Sequence, residues 1–382
     1  MQFQPTAALV LLLSCTVEAQ LSYTTNSDGT LSVSDFTGSN SVQIPSSFDG
    51  RTVTAIANLA FSESPVTAVA IPSTVSSIGP QAFLFSADLT NITVSSSNLA
   101  YANVGPVMFN RSLSTLAAFP GGLVGSYTIP NSVKSVGSFA FAGSQLNSIL
   151  IPSSVTTFGE QAFWDCGNLR AVTVPGSVTS FGDFVFWSCA NLTNVVLADG
   201  LKTIGNDAFL QCLNLQSIDF GHTVTNIGAS AFQFCGSLGS VILPSSVANI
   251  GSGALADCLS LSNVFFLGNA PRTDSSAFGD DPDLPAAYYL PGATGWSKFT
   301  AIPVGAWNAA IQADNVNFGA RNGVFGFDVT GSTNIPVVVE ASVSPAGSWN
   351  ALTNGSLTGG TLHVQDVGWT NYSARFYRVR SP

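Results

Sequence analysis

The chain has 382 residues, of which 46% are hydrophobic and only 8% charged, and its formal net charge is −10. That balance is too apolar for a disordered chain. It also lacks the clustered Lys and Arg that neutralise phosphates, which excludes nucleic acid as the expected partner.

The first predicted element is an export signal. Residues 7–13 form an apolar run too short to span a bilayer, and Val17-Glu18-Ala19 matches a small-residue cleavage site. A signal peptide over 1–19 is expected, with Gln20 opening the mature chain. The alternative is a lipoprotein signal at Leu12-Leu13-Ser14-Cys15, with a lipid anchor on Cys15. No later stretch is long and apolar enough to be a membrane span.

An N-terminal cap and first coils are expected over 20–64, where Ile44-Pro45, Ile56 and Ala60-Phe61 begin a pattern. Ile71-Pro72, Ile78-Gly79 and Ala82-Phe83 repeat it, as do Ile129-Pro130, Val136-Gly137 and Ala140-Phe141. Gly137 follows Gly79 by a step of 58 residues, which is no multiple of the period found downstream. The irregular insert 93–128, with Pro106 and Gly121-Gly122, is read as a bulged coil or hairpin.

Downstream the repeat is in strict register at 23 residues. Phe158-Gly159, Phe181-Gly182, Ile204-Gly205, Ile227-Gly228 and Ile250-Gly251 mark one position. Cys166, Cys189, Cys212, Cys235 and Cys258 mark another, each followed three residues later by a Leu. That Leu opens a phrase such as Leu169-Val172-Val174, whose last two apolar residues share one strand face. This is the strand part of a leucine-rich repeat. A Pro often closes the strand, because it cannot extend the ladder, and the repeat Gly is expected to permit a tight turn. One such coil cannot bury its apolar side alone, so coils stack as a parallel sheet and identical residues align in columns. Phe163, Phe186, Phe209 and Phe232 form one predicted core column, and the five Cys another. Tyr288-Tyr289-Leu290-Pro291 matches the strand phrase and ends the solenoid, predicted over 65–292.

The phrase IPSSVTTFGEQAFWDCGNLRAVTVP (151–175), echoed over residues 42–291, resembles the BspA-like leucine-rich repeats of bacterial and protozoan surface proteins. The insert is similar too, in ITVSSSNLAYANVGPVMFN and YTIPNSV. The resemblance covers about two-thirds of the chain. It implies a secreted or cell-surface protein used in binding or adhesion, and it brings no catalytic residues.

After a linker over 293–305 the repeat stops. Phe325, Phe327 and Val329 alternate, and Asn354-Gly355 and Gly359-Gly360 are hairpin and turn signals. Residues 306–382 are therefore read as a small all-β, sandwich-like antiparallel domain that caps the open end of the solenoid, the alternative being a domain that anchors or sorts the protein. The fold class is a leucine-rich-repeat solenoid, β-rich α/β with short helical turns, followed by this domain.

Few residues suggest chemistry. The Cys column reads as buried free thiols, since aligned side chains pointing one way make poor disulfides. Zinc has no Cys-x-x-Cys or His pair to bind, His222 and His363 stand apart, and Asp280-Asp281-Pro282-Asp283 is read as a solvated loop. No cofactor, metal or catalytic site is predicted. Two surfaces remain. Leu150, Thr173, Val196, Asp219, Ile242 and Phe265 face outward from the strands and form a candidate binding face. Trp164 and Trp187 form a candidate aromatic patch. The expected partner is an extracellular protein or glycan, and the alternative is a purely structural surface or matrix spacer. Asn91, Asn110, Asn191, Asn354 and Asn371 are glycosylation acceptors only in a eukaryotic source.

Overall fold

The computed structural model describes residues 21–279, 285–314, 316–333 and 335–380. The signal peptide, Cys15 and the Asp280–Asp283 run lie outside the described residues. The chain forms two compact units, one ending at Leu123 and one beginning at Val124.

In the first unit, Leu31–Phe36 pairs parallel with Arg51–Ile56, which pairs parallel with Ser77–Ile78. Asn40–Gln43, Val66–Ile71 and Asn91–Val94 form a second parallel sheet. Between them lies one core containing Phe36, Phe61, Val69 and Ile92. The antiparallel strand Leu21–Thr25 pairs with Leu31–Phe36 and forms the edge of its sheet. In the insert, Tyr101–Val104 and Val107–Asn110 form an antiparallel hairpin around Gly105-Pro106.

In the second unit, Gly125–Thr128, Leu146–Leu150, Ala171–Val174, Asn194–Leu197 and Ser217–Asp219 pair in parallel. A further parallel sheet runs through Ser240–Leu243, Asn263–Phe266, Ala286–Tyr289 and Val304–Ala306. From Ala171–Val174 to Ser217–Asp219 and from Ser240–Leu243 to Ala286–Tyr289 the register is one 23-residue step per strand, as in Val172↔Val195 and Val195↔Ile218. Phe163, Phe186, Phe209 and Phe232 are fully buried. Their rings stack at 5.0, 5.2 and 5.1 Å, within 8° of parallel.

The expected helical turns are absent from the 23-residue coils: among the described residues there is no α-helix, and the three 3-10 turns all lie after Tyr289. The reason lies in the hydrogen bonds. The amide of Phe163 donates to the Val185 carbonyl, that of Phe186 to Ala208 and that of Phe209 to Ala231, each at 2.8–2.9 Å. Bonds between coils thus alternate with bonds within the turn, such as Trp164 to the Gln161 carbonyl at 3.1 Å, and interrupt the unbroken within-turn series a helix needs.

The stretch 293–305, expected as a linker, belongs to the last coil. Val304–Ala306 adds a strand to the sheet. Trp296 stacks on Tyr289 at 4.7 Å and meets Phe266 edge-on at 4.9 Å. Trp296, rather than the C-terminal segment, therefore covers the inward side chains of the last strands.

Among its described residues the C-terminal segment pairs antiparallel. Val324–Thr330 joins Ala310–Gln312, Gly319–Arg321 and Thr361–Asp366, while Pro336–Ser342 joins Asn350–Ser356 and Phe376–Arg380. Buried Glu340 accepts from Arg378 and Arg380 across the latter pairing, and their guanidinium groups hold its carboxyl below the usual range. The apolar core of this segment includes Phe327, Val337, Val339 and Trp307, together with Phe265 and Tyr288 from the solenoid. The segment therefore packs on the outward strand face of the last coils.

Candidate functional site

The strand face is built by alternation: inward residues enter the core and the residue between them points out. Register aligns Thr173, Val196 and Asp219 across neighbouring strands, and Ile242, Phe265 and Tyr288 across the next set. Leu150 is 62% exposed and Ile242 39%. Thr173 and Asp219 are exposed and Val196 is half-buried. The apolar residues form no continuous patch, because Thr173 and Asp219 interrupt them.

Phe265 corrects the expectation. It is only 2% exposed, stacks on Tyr288 at 5.5 Å and lies under the C-terminal segment. It is part of an internal contact and cannot belong to an open face. The outward column thus divides in two: its last members already hold another β-structure, while Leu150 to Ile242 remain uncovered by it.

Trp164 and Trp187 are half-buried on the turn edge. They stack at 5.0 Å and 4°, with Phe139 edge-on to Trp164 and Phe184 tilted 5.5 Å from Trp187. Parallel rings at this distance cover each other's faces, so the ladder presents ring edges outward. Such a strip suits close side-chain packing better than the flat stacking of a sugar ring. The Trp187 indole N–H donates to Gln211 Oε1 at 3.4 Å, a weak contact.

The five cysteines of the repeat column are free and buried. Each thiol donates to the carbonyl of the Phe in the preceding coil, as Cys189 does to Phe163 at 3.1 Å and Cys212 to Phe186 at 3.3 Å. Ser86 fills the same position in the first unit and donates likewise to the Phe61 carbonyl at 2.5 Å. The column is thus a set of short internal donors in which Ser and Cys are interchangeable. Burial pushes the Cys258 thiol up to about 12 and raises those of Cys189, Cys212 and Cys235, so the reactive thiolate is scarce at neutral pH.

Sequence reading left the two histidines isolated. Each meets an aspartate: His222 Nδ1 lies 3.2 Å from Asp199, and His363 Nδ1 lies 2.7 Å from Asp328. The His222 contact spans one 23-residue step, a signal the period carried. Both histidine side chains are solvent-exposed. Among the described residues no group of three or more His, Cys, Asp or Glu could hold a metal ion, and no helix is long and apolar enough to cross a membrane.

The model of the BspA type leucine rich repeat region matches in six copies, over residues 21–117, 116–235 and 179–287. Among solved structures, a leucine-rich repeat protein from Eubacterium ventriosum is 28% identical with a TM-score of 0.57, over 63% of this chain and 64% of that one. The pneumococcal vaccine antigen PcpA is 20% identical with a TM-score of 0.47, over 64% of this chain and 56% of that one. A leucine rich cell surface protein from Faecalibacterium prausnitzii is 21% identical with a TM-score of 0.33, over 74% and 96% of the two chains. The chain thus spans less than two thirds of the length of the first two. No curated protein gives a significant match.

Proposed function

The chain belongs to the BspA-type leucine-rich-repeat family, and from that membership we propose that it is a secreted or cell-surface scaffold, without catalysis, that recognises an extracellular protein or glycan. The observation that carries this reading is the divided strand face. Phe265 and Tyr288 hold the C-terminal segment there, so this face is built to take up another surface. Leu150, Val196 and Ile242 extend the same outward column beyond the covered part. Solenoids expose long sheet faces of this kind to partners. The export signal at residues 1–19 supports a location outside the cell, and residues 306–382 act as a small β-sandwich-like domain docked on the solenoid.

The reading is tested by probing an array of extracellular-matrix proteins and glycans with the full mature chain. Retention of a defined protein or glycan class, resistant to washing, is expected. If no probe is retained, the chain is a surface or matrix spacer and the proposal fails.

A further inference from the structure

The corner between each Cys turn and the following strand forms a second surface. Asn168, Asn191 and Asn214 precede the repeat Leu in three successive coils, and Arg170, Thr193 and Gln216 follow it. With Asn147 they line a groove of about 460 Å³ that has no apolar lining residue. All lie within the second unit.

The groove is pre-set by the coil backbone. Asn191 Nδ2 donates to the Gly167 carbonyl at 2.6 Å, and Asn214 Nδ2 to the Ala190 carbonyl at 2.9 Å. Thr193 Oγ1 donates to the Arg170 carbonyl at 3.0 Å. Asn191 and Asn214 are thereby held in one orientation and joined by a 3.4 Å contact from Asn214 Nδ2 to Asn191 Oδ1, which leaves one Asn191 N–H and the Asn214 carbonyl oxygen to meet a ligand with less entropy lost on binding. Equivalent side chains recur at the strand spacing of about 4.8 Å, a step close to that of an extended chain of sugar rings. The exposed Arg170 guanidinium forms no ion pair or hydrogen bond with any described residue, in a chain with only 11 Lys and Arg.

We infer that this groove binds an extended polysaccharide bearing carboxylates, of the uronic-acid class. Amides and a hydroxyl can both donate and accept, as sugar hydroxyls do. The planar guanidinium of Arg170 matches a carboxylate in bidentate geometry. A peptide is disfavoured, because an all-polar groove has no pocket for an apolar anchor and tight peptide contacts depend on such anchors.

The inference rests on the chain being an extracellular recognition scaffold, but it uses a surface separate from the outward strand column. It is tested by titrating the full mature chain with oligogalacturonate. Wild type is expected to bind, and Arg170→Gln to bind at least tenfold more weakly. The fully methyl-esterified oligomer, which has lost its charge, should bind wild type as weakly as the acid binds the variant. Lys134→Gln, which removes one exposed positive charge outside the groove, should leave oligogalacturonate binding within twofold of wild type. No binding by wild type, or equal binding by Arg170→Gln, overturns the inference. Equal Arg170-dependent binding of poly-glutamate would overturn the glycan class in favour of an acidic peptide. A loss in Lys134→Gln equal to that in Arg170→Gln would make the binding a general attraction between charges and overturn the groove. Failure in this titration, with probes still retained on the array, removes the groove and leaves the scaffold reading intact.

Discussion

Replacing Phe209 with alanine is expected to destabilise the second unit by about 3–5 kcal/mol, the range for deleting a buried aromatic ring. Phe209 is fully buried in the middle of the ring column, 5.2 Å from Phe186 and 5.1 Å from Phe232, with Phe181 edge-on at 6.0 Å. The neighbouring rings cannot close the gap, because each is held by bonds from its own coil to the next. Each coil of a solenoid is stabilised mainly by its neighbours, so one weak interface lowers the stability of both sides. Urea unfolding followed by circular dichroism measures the loss. Leu213→Ala, at an exposed side chain one coil position away, should change stability by about 0.5 kcal/mol or less. A Phe209→Ala loss no larger than that control would mean the column is not the core.

A second large effect is expected from Gly228→Ala. A Cβ there would lie 2.6 Å from the Asn206 amide nitrogen and from the Gly205 carbonyl group, closer than real Cβ atoms come to backbone. The neighbouring backbone cannot retreat, since the Gly228 amide donates to the Ile204 carbonyl at 2.9 Å and Gly251 repeats the bond to Ile227. Overpacking against backbone that cannot give costs about 1–3 kcal/mol, and this site belongs at the upper end of that range. Gly239→Ala, with nothing within 4 Å of the added carbon, should be neutral or slightly stabilising through the unfolded chain. Equal melting temperatures for the two variants would contradict the close approach of the coils.

That glycine illustrates what the sequence did and did not reveal. Its column was plain from the 23-residue period, but the reason for it was not: the repeat Gly does not adopt the left-handed conformation a turn would need. That conformation falls on side-chain-bearing residues instead, at Gln161, Phe184, Asp207 and Ser230, all with φ of 50–60°. Glycine is required by what lies across the coil interface, and a linear pattern does not show distance between coils. The Phe and Cys columns were legible because period and alternation alone place them. Phe265 was misjudged because its cover, built around Phe327 and Trp307, comes from a segment outside the repeat. The turns looked helical because nothing in the sequence tells bonding between coils from bonding within one. The amide groove was readable and passed over: Asn168, Asn191 and Asn214 share one repeat position, but polar residues at coil corners look like solubilising surface.

The strand face carries the functional account, and Val196→Lys combined with Ile242→Lys tests it most directly. Both side chains point outward, so the double variant should keep the wild-type melting temperature. On an extracellular-matrix protein retained by the wild-type chain, it should show no binding, since two ammonium groups would have to be desolvated on the contact face. Undiminished binding of that same probe by the folded double variant would contradict the account.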